Sequence, residues 1–148
     1  AVPNAPPYTF FKQRIHKVGG KMRSLDDLEH TLIRPQPKGQ FTTPLIHAAL
    51  NCASRSCPPL FNHAFLPHSL HKQLSLVFRN FVRDQVRNPI YKKKLSKIFL
   101  WFKDDFQAFD GVIQVLKRYA RTEDQKHLHS GFKSFSFVEY DWTLNLAK

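Results

Sequence analysis

Acidic residues are scarce in this sequence, and cysteines are scarcer. Eleven Asp and Glu stand against 23 Lys and Arg, a formal net charge of +12. The two cysteines, Cys52 and Cys57, are too few for the disulfide framework of a small secreted domain. No apolar run approaches the roughly 20 residues that a membrane-spanning helix needs. Ala1 to Tyr8 is proline-rich and lacks the charged and then apolar blocks of a secretory signal. A start at Ala1 rather than Met points to an excerpt or a processed product, so that missing signal carries little weight. No internal repeat or low-complexity segment is visible.

What is present suits a folded domain. The 148 residues are 42% hydrophobic and include 14 Phe, far too apolar for a disordered chain and enough for one real core. The excess of positive charge attracts nucleic acid, anionic lipid headgroups or small anionic ligands by its long-range field. Its arrangement argues against specific nucleic-acid recognition. The dense basic run is Lys92-Lys93-Lys94, followed by Lys97, and no aromatic residues are interleaved with basic ones for stacking on bases.

The chain reads as one domain over residues 1–148, with an entry linker over residues 1–9. Phe10 to Val18 has the β-branched and aromatic content of a strand. Gly19-Gly20 supplies the positive φ angles of a tight hairpin turn, and Lys21 to Arg23 is the return strand. Ser24 caps a helix with Asp27 three residues on, and Leu25, Leu28, Leu32 and Ile33 give it one apolar stripe until Arg34-Pro35 stops it. Pro35 to Gly39 is a loop. Leu45 to Asn51 is short and apolar, so helix and strand compete there. A long helix is predicted from about Pro67, where Leu70, Leu74, Val77, Phe78, Phe81 and Val82 repeat at three and four. Leu95, Ile98, Phe99, Phe102 and Phe106 mark a second, and Asp110 caps a third that carries Val112 to Tyr119. His127 and His129 look like exposed loop residues. Phe135 and Phe137 alternate with serines as in a half-buried strand. The fold class is α+β: a small antiparallel sheet packed against several helices, for which a papain- or transglutaminase-like arrangement is the expectation.

Chemistry concentrates between His47 and Pro59. That stretch packs a His, an Asn, two Cys, two Ser and an Arg into a turn after an apolar element, the usual construction of a site. Cys52 and Cys57 have three readings. A nucleophilic cysteine needs a neighbouring imidazole, cation or helix start, and His30 and His47 are the available bases. A local disulfide is permitted by the four-residue spacer. Zinc binding has the right ligand softness but no second Cys or His pair at a convincing spacing, so neither metal nor cofactor is called for. If Leu45 to Asn51 is a strand, His47 and Cys52 point apart and His30 is the better partner for Cys52. Asp141 can orient a histidine or simply turn the backbone, and the structural role is favoured.

Taken in order, Gly19-Gly20, Ser24 to His30, Ile33-Arg34, His47 to Cys52, Ser56 to Pro59 and Tyr140 to Asn145 resemble domain-of-unknown-function family 547, over nearly the whole chain. The family occurs in bacteria, plants and animals, and some members join it to glutaredoxin or other signalling modules. The resemblance implies an upstream helix containing a tryptophan and asparagines, which the sequence lacks. It strengthens the Glu29-His30 pair and the cysteines as site residues.

Two functions follow as expectations. The first is a thiol-dependent hydrolase or transferase, peptidase- or amidohydrolase-like, on a small anionic peptide-like amide. Cys52 is the nucleophile with Cys57 beside it, His30 or His47 the base, and Asp141 or Asn51 the orienter. Arg34 or Arg55 holds a substrate carboxylate, and the glutaredoxin association makes a glutathione-like ligand the natural candidate. The second is a non-catalytic basic module with structural cysteines that meets an acidic protein or a membrane surface.

Overall fold

A computed structural model describes residues 8–34, 43–129 and 134–145. The chain divides into two compact units, Ala1–Thr43 and Pro44–Lys148. The class is mixed α+β; the described residues form two small two-stranded sheets, one antiparallel and one parallel. Most of the expected entry linker and the loop expected over Pro35 to Gly39 lie outside the described residues.

In the first unit, helix α1 (Tyr8–Lys12) takes the place of the front half of the expected strand. Aromatic content alone could not tell the two apart, and the strand β1 is only His16–Val18. It pairs with β2 (Lys21–Arg23) in the register Val18 to Lys21, across Gly19 and Gly20 at φ +59° and +76°. Two successive positive φ angles are what a two-residue hairpin turn requires, and glycine meets them without a Cβ clash. Ser24 then caps α2 (Leu25–Asp27). Its hydroxyl accepts from Asp27 N at 2.9 Å while the Asp27 carboxylate accepts from Ser24 N at 3.1 Å. The helix continues as a π turn over Leu28–Ile33, closed by Arg34 N to Glu29 O at 2.9 Å. That five-residue step also brings the Arg34 guanidinium onto the Glu29 carboxylate at 2.6 Å.

The second unit is built around α3 (Leu70–Arg83), which buries Leu74, Val77, Phe78, Phe81 and Val82, the residues that repeat at three and four. The stretch expected as one helix from Leu95 to Phe106 is broken. Leu95 belongs to β3 (Lys94–Leu95), α4 is only Ile98–Trp101, and a 3₁₀ segment covers Asp105–Phe109. The broken path still brings Phe99 and Phe106 onto α3. Phe78 meets Phe81, Phe99, Phe106 and Tyr119 at centroid distances of 5.2–6.4 Å, and Phe81 stacks on Phe99 at 5.7 Å. Rings packed edge-to-face and offset add about 0.5–1.5 kcal/mol per pair beyond area burial. Helix α5 (Val112–Tyr119) closes this core with Val115, Leu116 and Tyr119. Its cap is Gly111 at φ +89°, not Asp110, which is left-handed and bonds back to Gln107 O at 3.1 Å.

His127 and His129 belong to α6 (Thr122–His129) rather than to a loop. Strand β4 (Ser136–Phe137) pairs in parallel with β3, and Phe135 and Phe137 are half-buried beside exposed Ser136, as the alternation predicts. Buried Asn88 joins two of these elements. Its amide donates to Phe81 O at 2.7 Å and its carbonyl accepts from Ser96 N at 2.9 Å, tying the end of α3 to the turn after β3.

Candidate functional site

The competition over Leu45 to Asn51 ends in neither an α-helix nor a strand. Pro44–Ala48 forms a 3₁₀ turn packed on α3, and all five residues are buried. With every side covered, no alternating face exists, which removes the strand geometry from which His47 and Cys52 were expected to diverge. His47 is instead fixed by the core. Its Nε2 lies 2.8 Å from Asp105 Oδ2, and its ring stacks on Phe102 at 4.1 Å.

The chain then turns through Asn51 to Pro58. Asn51 closes this loop with both ends of its amide, accepting from Ala53 N at 2.7 Å and donating to Pro58 O at 2.5 Å. Ala53 sits at φ +59°, a left-handed conformation that costs a non-glycine residue on the order of 1 kcal/mol. Neighbouring bonds hold it there. Asn145 N donates to Ala53 O at 2.8 Å, Arg55 N to Thr143 O at 2.9 Å, and Ser56 N to Asp141 O at 3.2 Å. On the other side the Arg87 guanidinium donates to Cys57 O and to Arg55 O, both at 2.7 Å, and pairs with Asp84. The loop is thus clamped between the segment 141–145 and the turn after α3.

This clamping gathers four polar side chains. Cys52 Sγ lies 3.3 Å from Ser54 Oγ and 3.6 Å from Tyr140 Oη, and Ser54 Oγ donates to Tyr140 Oη at 3.3 Å. Cys52 N donates to Cys57 Sγ at 3.1 Å, while the Cys57 thiol itself donates to Leu50 O at 3.9 Å. Both cysteines are free, with Cys57 buried and Cys52 half-buried. Ser54 has one proton, so a Ser54–Tyr140–Cys52 chain leaves the tyrosine proton aimed at sulfur.

The electrostatics follow from these bonds. The neighbouring Cys57 thiol pulls the Cys52 pKa well below the ordinary thiol value against the opposing effect of burial. Ser54 and Tyr140 lower it further. Cys57 moves up, because it interacts with the Cys52 side chain, is buried and faces the charge on Cys52. Burial and the two sulfurs hold Tyr140 protonated. A sulfur with a hydroxyl proton aimed at it is the arrangement that favours thiolate.

The other expected site residues have different employment. The Asp141 carboxylate accepts from Thr143 N at 2.9 Å and Thr143 Oγ1 at 2.6 Å, the backbone-turning role. Those bonds hold its pKa below the usual carboxylate range. His30 and Arg34 belong to the first unit, where exposed His30 lies 3.9 Å from Asp26 and Arg34 pairs with Glu29. Arg55 keeps an exposed guanidinium with no hydrogen bond or ion pair among the described residues, while its backbone is fixed at both ends. Beside it opens a cleft of about 360 Å³ lined by Arg55, Ser56, Val86, Lys97 and Tyr140 among others, with Lys97 bonded to Glu139 at 2.7 Å. Among the described residues, no group of three or more His, Cys, Asp or Glu is placed to hold a metal ion. No described helix is long and apolar enough to cross a membrane.

The family model "Protein of unknown function, DUF547" matches residues 4–82. The chain belongs to this family. No curated protein and no solved structure matches it. The DUF547 match takes in Cys52, Ser54, Arg55 and Cys57 and stops short of Arg87 and Tyr140. Tyr140, Ser54 and Arg87 are the residues that sequence reasoning missed as parts of the site. Tyr140 carried a signal, since it opens the Tyr-Asp-Trp stretch that also holds Asp141. Arg87 carried none.

Proposed function

We propose that this DUF547 domain is a thiol-dependent hydrolase or transferase of the peptidase or amidohydrolase kind, acting on a small anionic peptide-like amide. The observation that carries the reading is the half-buried Cys52 sulfur, set between the Ser54 and Tyr140 hydroxyls and backed by Cys57. Cys52 thiolate attacks the amide carbonyl, the C–N bond breaks, and the leaving amine takes the proton from the Tyr140 hydroxyl. Water or an acceptor amine then attacks the thioester, its proton returns to the Tyr140 oxygen, and the carbon–sulfur bond breaks to release the Cys52 thiolate. Arg55, on the rim of the cleft that Tyr140 lines, holds a substrate carboxylate, and a glutathione-like peptide has the matching charge and size. A papain- or transglutaminase-like arrangement belongs to this proposal.

Iodoacetamide labelling of the native protein, followed residue by residue across pH, tests the reading. Cys52 is expected to label with a midpoint clearly below the roughly 8.5 of an ordinary thiol. Cys52→Ser is then expected to abolish acyl transfer from γ-glutamyl or peptidyl amides while leaving the melting temperature in place. A Cys52→Ser protein that only melts earlier supports the rival reading, a basic binding module whose cysteines brace a loop. The commitment of the Asn51 and Asp141 side chains to loop bonds favours that rival.

A further inference from the structure

The acyl-transfer step leaves Cys57 without a chemical role, although it is a direct hydrogen-bond partner of Cys52. The pair is asymmetric. Cys52 is half-buried, whereas Cys57 is 3% exposed and lies behind it. The backbone between them is already folded into a closed turn, with Cys57 N donating to Ser54 O at 3.1 Å and Arg87 gripping Cys57 O. Asn51 closes the same turn from outside through Pro58 O. A Cys57 sulfur already held 3.1 Å from the Cys52 backbone N has little left to lose in orientation when the two residues bond. One sulfur that solvent reaches and a second that it does not is the arrangement for oxidation in two steps.

We propose that Cys52 and Cys57 form a redox centre in which a small hydroperoxide oxidises Cys52 and Cys57 resolves the product to an intramolecular disulfide. Cys52 thiolate attacks the outer peroxide oxygen, the O–O bond breaks, and a sulfur–oxygen bond forms. The departing alkoxide or hydroxide takes up the proton that Cys52 gave to solvent. The Tyr140 and Ser54 hydroxyls, both beside the sulfur, stabilise that departing charge. The Cys57 thiol then attacks the Cys52 sulfur, the sulfur–oxygen bond breaks, and the hydroxyl leaves with the Cys57 proton as water. Two thiols and one hydroperoxide thus give one disulfide, one alcohol or water from the peroxide, and one further water. A small dithiol reverses the change. The inference shares with the acyl-transfer reading only the nucleophilic Cys52 sulfur, and oxidation removes that nucleophile.

The test is one equivalent of hydrogen peroxide on the reduced full chain, followed by alkylation and peptide mapping without reductant. The expected product is a Cys52–Cys57 linked peptide that dithiothreitol releases. Cys57→Ser is expected to lose the linkage and to accumulate a dimedone-reactive Cys52 instead. Dimedone present during oxidation of the unaltered protein should tag Cys52 and not Cys57, a readout that needs no variant to fold. The proposal is overturned if Cys52 proceeds to sulfinic acid while Cys57 stays alkylatable, if neither sulfur reacts, or if the linkage joins two chains. Acyl transfer is scored separately on the reduced protein. A missing disulfide with intact acylation sinks only the redox centre, and a disulfide without acylation sinks only the enzyme.

Discussion

Tyr140 has one hydroxyl proton and four neighbours that bear on where it goes. Ser54 donates to its oxygen, the Cys52 sulfur lies 3.6 Å away, and Trp101 and Trp142 flank its ring at centroid distances of 4.8 and 4.4 Å. The aromatic neighbours fix where the hydroxyl points, so Tyr140→Phe should leave the ring in place and remove the bond to sulfur together with the one accepted from Ser54. Because the bond to sulfur lowers the Cys52 pKa, the variant's labelling midpoint is expected to move up, and labelling at pH 7 to slow. An unchanged profile would show that Cys57 and Ser54 suffice. The sign is that of a depressed acid: thiolate predominates above the lowered value and is lost as pH falls through it. At this scale the sequence made Cys52, Cys57, Asn51 and Arg55 legible as parts of one loop. It could not reveal that the hydroxyl meeting the sulfur comes from 88 residues further on, since nothing local to either residue encodes the pairing.

At the scale of elements, α3 was legible because its apolar residues follow the helix period over 14 residues, and a stripe that long has one sensible fold. Phe99 and Phe106 were legible as core but not as separate elements. Nothing in an apolar spacing of three, four and seven marks where Phe102 breaks the helix, because tertiary packing sets the break. The cost of losing such a ring is predictable. Phe99→Ala leaves a void against Phe78, Phe81 and Phe106 and is expected to destabilise by about 3–5 kcal/mol, read from chemical denaturation. A loss below about 1 kcal/mol would mean that the core collapses to fill the space. The Ser24–Asp27 capping box makes a prediction about pH. Its bonds to Ser24, with the charges of Arg14 and Arg23, depress the Asp27 pKa, so its stabilisation is present above the ordinary carboxylate range. It is lost as pH falls through the depressed value. Melting curves of the protein and of Asp27→Asn should therefore differ at neutral pH and converge in acid; a constant gap across pH would assign the effect to packing instead.

For the molecule as a whole, composition made the α+β class and a real core legible, and the pattern of motifs made the family legible. The clamp on the cysteine loop was not legible, because backbone bonds carry no signature in side-chain type. Ala53, Arg55 and Ser56 bond the backbone of residues 141–145, with Ser54 and Leu144 bridged as strand partners. These distant amides should open together: Arg55, Ser56 and Asn145 are expected to share one hydrogen-exchange rate, and a fast Asn145 beside a protected Arg55 would show the seam to be two independent contacts. The same seam orders events at the ribosome. Synthesis at about 5–20 residues per second separates Cys52 from Tyr140 by roughly 4–18 s. For that interval the nascent chain carries both thiols with neither tyrosine nor strand partner to receive them. The cysteine loop therefore gains the Tyr140 hydroxyl and its backbone partners only after that interval, late in the making of the chain.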